Sequence, residues 1–199
     1  MESLVLNLQS KNEITAYRDN NCHVKYEYAI IAELLDAIDR NDLEKLSWFS
    51  AFGNSFRSII MNVYGYRKAL EFGFTEIAFT EHGWFKYPVW LEKENITLGD
   101  TSRYGNHSII YVGRGMNNIW TYAMDYNFGI AGGGYHLSVY GKQFDSRNAA
   151  LSFALAEIKG MMSEKIGHRD TTNYKQPIIL ATLRDIEKVQ MSMVQLTLF

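Results

Sequence analysis

The chain has 199 residues, 47% of them hydrophobic and 21% charged, which suits one compact soluble body with a sizeable core and excludes a disordered chain. Lysine and arginine number 20 against 22 aspartate and glutamate, so the net charge of -2 lacks the positive excess with which nonspecific polyanion binders neutralise phosphate. One cysteine, Cys22, excludes an intramolecular disulfide and fits a reducing compartment; without a leader-like N-terminus or a membrane-length apolar run, the expectation is a cytoplasmic protein with no membrane partner.

Along the chain, Leu4, Leu6 and Leu8 alternate as in a short strand within a polar stretch that reaches residue 22. Residues 24–39 predict an amphipathic helix, with Tyr28, Ile31, Leu34, Leu35 and Ile38 at spacings of three and four. Asn41 and Asp42 offer a cap for a second helix through Phe49. A third helix runs from about Asn54 to Phe72, with Gly73 placed for a left-handed C-cap, and Ile77–Phe79 is a candidate strand. Residues 92–106 read as a polar loop. Strands are expected at Ser108–Val112, Ile119–Tyr126 and Tyr135–Tyr140, followed by a helix over 147–160 capped by Asp145 and Ser146. Pro177 opens a last helix with Ile179, Leu183, Ile186 and Val189 on one stripe. The pattern predicts an α+β fold: one domain over 1–190, helical over about 24–73 and β-β-β-α over about 108–162, then an extended tail from 191 to 199.

Chemistry-bearing residues are sparse. The five histidines, His23, His82, His107, His136 and His168, show no i, i+4 metal pair, and one cysteine cannot build a thiolate site. Glu81, His82, His107 and His136 form a cluster only if the fold brings them together, so no catalytic residue, metal ligand or cofactor is assigned. Gly129–Gly134 lacks the Gly-Lys-Ser/Thr ending of a phosphate loop and lies between strand-like runs. A flexible turn is its favoured reading, an anion-binding nest the alternative. Around Pro88 the aromatics crowd: Trp84, Phe85, Tyr87 and Trp90 make a core loop if buried and a protein interface if exposed.

Three resemblances follow from these residues. Tyr111-Val112-Gly113-Arg114 resembles half of the GIY-YIG nuclease motif, but the upstream half is missing and Trp120 and Thr121 stand where an arginine is needed. The β-β-β-α order resembles double-stranded-RNA-binding domains, yet only Lys142 and Arg147 supply charge at the last helix, beside Asp145. The stretch from Trp120 to Ile158 is loosely similar to modules of poorly characterised phage and plasmid proteins and implies no activity.

The C-terminal Gln195-Leu196-Thr197-Leu198-Phe199 resembles the peptide with which bacterial replication and repair proteins dock on the DNA sliding clamp, consensus Gln-Leu-Ser/Asp-Leu-Phe. By that resemblance Leu198 and Phe199 fill an apolar cleft, Leu196 an adjoining pocket, and the Gln195 amide fixes register at the rim. Docking of this kind needs an extended, accessible backbone. A terminal strand explains the alternating leucines but not Gln195 together with Phe199. The resulting expectation is a non-enzymatic adaptor or inhibitor of phage or plasmid type whose partner is the bacterial DNA polymerase sliding clamp. Two alternatives stand beside it: an anti-CRISPR-like counter-defence inhibitor that blocks a nucleic-acid-processing complex, and an enzyme using Glu81 and the histidines.

Overall fold

The structure, a computed structural model, describes residues 10–196 apart from Tyr104, and the backbone alone of Gln195 and Leu196. The fold is α+β, as the pattern predicts: among the described residues, six helices and a four-stranded antiparallel sheet. The chain divides into two compact units, Met1–Pro88 and Val89–Phe199. The helical and the β-rich stretches distinguished in the sequence fall one in each. No helix among the described residues is long and apolar enough to cross a membrane.

The first unit is built from α1 (Lys11–Asn20), α2 (Lys25–Asp39), α3 (Leu43–Ser50) and α4 (Phe56–Leu70). Their starts are set by local chemistry. The Glu27 carboxylate accepts the Val24 N–H at 2.9 Å, Asp42 accepts the Lys45 N–H at 2.9 Å, and Ser55 and Ser58 form a reciprocal capping box. Gly73, with φ at +79°, adopts the left-handed conformation expected after α4. Ile30, Ile31, Leu34, Phe49, Phe52, Ile59, Ile60 and Val63 make the core, each side chain contributing about 1.5–3 kcal/mol of burial before ordering costs. Within α2 the buried face is centred one residue away from expectation, so that Ile30 is inside and Tyr28 exposed. The helix α1 has no counterpart in the sequence reading, because Ile14 is its one buried apolar side chain and leaves no periodicity to see.

The second unit is a meander of β1 (Glu92–Gly99), β2 (His107–Arg114), β3 (Trp120–Asn127) and β4 (Gly132–Tyr135), with α5 (Arg147–Ser163) and α6 (Gln176–Leu196). Leu98, Ile110, Val112, Tyr122 and Met124 meet Leu151, Leu155, Ile158, Ile179 and Ile186 in one core. Two corrections fall on the sheet. The polar stretch 92–106 contains β1, an edge strand whose charges disguise its alternation; the inward Glu94 is neutralised by Arg147 of α5 through two bonds of 2.6 Å. The glycine run is strand β4, not a turn, and the strand expected at Tyr135–Tyr140 ends at its first residue. Glycine is required there because an added Cβ would lie 2.6 Å from the Tyr126 carbonyl at Gly132 and 2.0 Å from an Asp125 carboxylate oxygen at Gly134. The expected strand Leu4–Leu8 lies outside the described residues.

In the first unit Arg67 of α4 grips Glu33 of α2 with two bonds of 2.7 Å, as Arg147 grips Glu94 in the second. The hydrogen bond from the arginine is the leading cause that holds each carboxyl below its ordinary value of 4.5. A carboxyl lowered on folding contributes stability above its unfolded pKa and loses it as pH falls through the lower folded value. The contribution of each pair should therefore be constant from pH 7 to about 5.5 and be lost progressively below about 4.5. In R67M and R147M this acid dependence should be shallower, as measured by urea unfolding against pH.

Candidate functional site

Two places carry the residues singled out in the sequence: a hairpin in the first unit and the end of α6 in the second. The hairpin spans 78–86. Its arms meet at the Phe79–Phe85 bridge and at the Lys86 N–H to Ala78 carbonyl bond of 2.8 Å, and its turn is Thr80-Glu81-His82-Gly83. Gly83 takes φ of +75°, and the Thr80 hydroxyl accepts the Trp84 N–H at 3.2 Å. What fixes the hairpin on the helices is Asn62 of α4, 1% exposed. Its amide nitrogen donates to the carbonyls of Phe52 at 2.7 Å and Gly83 at 2.8 Å, and its amide oxygen accepts the Phe85 N–H at 2.8 Å. One side chain thus satisfies three backbone groups, two of them buried, that no helix or sheet ladder serves.

The crowded aromatics do not act as one patch. Phe85 and Trp90 are buried, at 6% and 7%, while Trp84 and Tyr87 are exposed at 46% and 59%. Phe85 packs edge-on to Tyr66 in the first unit. Trp90 belongs to the second unit, where it covers the bare backbone of Gly113. Trp84 rims an open cleft of about 570 Å³ with Phe79, Glu81, His82, Ser58 and Asn54. The Glu81 and His82 side chains lie 3.5 Å apart and are strongly exposed, so water screens their pairing. His107 opens β2 in the second unit with a buried Nδ1 that has no partner, and His136 is exposed just after β4. No three His, Cys, Asp or Glu side chains gather to hold a metal among the described residues.

The partial motifs resolve into structural roles. Gly113 is a contact point for Trp90 and Leu137, and Arg114 pairs with Glu92 and stands 5.8 Å over the Trp120 ring. Of the two cations near the start of α5, Arg147 is committed to Glu94 and the Lys142 ammonium sits 3.9 Å over Phe153. Tyr122, 5% exposed, hydrogen-bonds Glu157; burial, then that carboxylate and Tyr135, push its phenol far above the ordinary range. It stays a neutral donor.

At the C-terminus, α6 runs to Leu196, which corrects the expectation of an extended tail from 191. Residues 191–196 contain neither glycine nor proline, so nothing in the backbone stops the helix. Of the docking pentapeptide, Gln195 and Leu196 therefore carry helical backbone, and Thr197, Leu198 and Phe199 lie outside the described residues. Immediately before it, Met193 packs against the core while Met191 and Val194 are exposed at 60% and 61%.

No protein-family model, curated protein or solved structure matches this chain. Function must be argued from its own residues.

Asn62→Ala would orphan two carbonyls and one N–H at once. Urea unfolding of the first unit, followed by Trp48 and Trp84 fluorescence, should show a loss of about 2–4 kcal/mol. Trp84→Ala, on an exposed rim, should cost less than about 1 kcal/mol by the same measurement.

Proposed function

We propose that this protein is a non-enzymatic adaptor or inhibitor that docks on the bacterial DNA sliding clamp through Gln195–Phe199. The observation that carries the reading is the pentapeptide itself: a register-setting amide followed by leucine, a small hydroxyl residue, and a Leu-Phe pair. Leu198 and Phe199 supply the apolar anchors, worth about 1.5–3 kcal/mol each before ordering costs, and Gln195 supplies a donor and an acceptor for the cleft rim. The peptide begins in the last two residues of α6, whose final turns expose Met191 and Val194. The body then contributes specificity or obstruction, acting at high effective concentration once the peptide is seated.

A second reading draws on the hairpin. Trp84, whose two neighbours are bonded by the Asn62 brace, and Tyr87 are exposed aromatic side chains of the kind that anchor protein interfaces. An inhibitor that covers a nucleic-acid-processing complex, in the manner of an anti-CRISPR, would use such a surface. The two readings are compatible, since one chain holds both features.

Calorimetric titration of the purified protein into a bacterial sliding clamp should show micromolar or tighter binding. L198A/F199A should weaken it by about 100-fold or more, whereas W84A and Y87A should leave it within twofold. Absence of binding by the intact protein and by every variant with an intact pentapeptide rejects the clamp reading. A tenfold loss in W84A would move the hairpin into the clamp interface.

A further inference from the structure

The clamp reading demands an extended peptide, yet the peptide starts on a helix. Gln195 and Leu196 are the last two residues of α6. The helix is fastened to the core at Met193, two positions before Gln195. Extended chain advances about 3.3 Å per residue against about 1.5 Å in a helix, and the two states cannot share one backbone segment. The core-facing stripe of α6 passes from the buried Ile179 and Ile186 to the partly buried Val189 and Met193, so the packing that holds the helix is weaker toward its end. Beside this last turn Asn148 and Ser152 of α5 line one cleft with Gln190, Met193 and Val194.

Resting on the clamp reading, we infer that the end of α6 is a helix-to-extended switch that gates docking: the helical turn over 193–196 is the closed state, and the clamp takes up only chains in which that turn has opened. The turn is built to open easily. No basic side chain in the last turn offsets the negative end of the helix dipole. Val194 is β-branched and poor in helix propensity. The Ser192 hydroxyl donates to the Val189 carbonyl at 2.7 Å, a back-bond that weakens a helix. Upstream, by contrast, Ile179 and Ile186 are fully buried and the Asp185 carboxylate accepts the Gly99 N–H at 2.9 Å, which confines the opening to the end. Affinity is then the intrinsic peptide affinity multiplied by the fraction of chains in which the turn is open.

The test uses the full chain and the purified clamp. V194P, which opens the turn and drives Met193 out of the helical region, should bind about three- to tenfold more tightly than wild type. S192A/V194A, which strengthens the same turn, should bind about threefold more weakly and slow the association rate. Circular dichroism and melting temperature report whether the body stays folded in both. Wild-type binding that is unchanged in both variants overturns the switch and leaves the clamp reading intact. Binding by V194P with none by wild type supports the switch. Absence of binding in wild type and in V194P rejects the clamp reading, and the switch with it.

Discussion

The second unit depends on how α6 lies against the sheet. Ile179, Thr182 and Ile186 are sealed inside, Leu98 of β1 is buried in the same core, and Asp185 receives the backbone N–H of Gly99 where β1 ends. These contacts give the edge strand its cover: β1 has β2 on one side only, and α6 packs against its inner residues. The Arg147–Glu94 pair extends the same arrangement to the start of α5. A helix held this firmly along most of its length delivers its last turn to a defined place beside α5.

The first unit solves a different problem. Its four helices bury a compact core, and the chain that leaves α4 must then fold back as a hairpin without a sheet to join. Asn62 replaces the missing ladder. Its three bonds hold both the α3–α4 connection and the hairpin turn, so that Phe85 points inward and Trp84 stays at the surface. An apolar residue at 62 would fill the space but leave the buried Phe52 carbonyl and Phe85 N–H without a partner. The exposed aromatics are in this sense a product of a buried amide.

Much of this was legible in the sequence wherever apolar spacing coincided with caps. The helices α2, α3, α4 and α5, and strands β2 and β3, lie close to where periodicity and the residues Asp42, Ser146 and Gly73 place them. The failures share physical causes. α1 has one buried apolar side chain, β1 hides its alternation under Glu92, Lys93 and Glu94, and β4 consists of glycines chosen for the absence of a side chain. A pattern based on hydrophobicity cannot register a strand whose requirement is to carry nothing. The brace at Asn62 was invisible for a related reason: its partners are backbone groups at Phe52, Gly83 and Phe85, distant in sequence and anonymous in type. The split of Trp84 and Tyr87 from Phe85 and Trp90 needed burial to be seen.

The end of α6 joins the fold to the function proposed for it, since the proposed docking requires a segment that is helical through Leu196 to become extended. The most direct measurement is the backbone carbon chemical shifts of residues 190–199, by NMR, in the free protein and in its complex with the sliding clamp. The account predicts helical shifts through Leu196 in the free protein and extended shifts from Gln195 to Phe199 in the complex, with the shifts of residues 176–189 unchanged. Helical shifts at Gln195 and Leu196 that persist in the complex, or an unperturbed pentapeptide in the presence of saturating clamp, would contradict it.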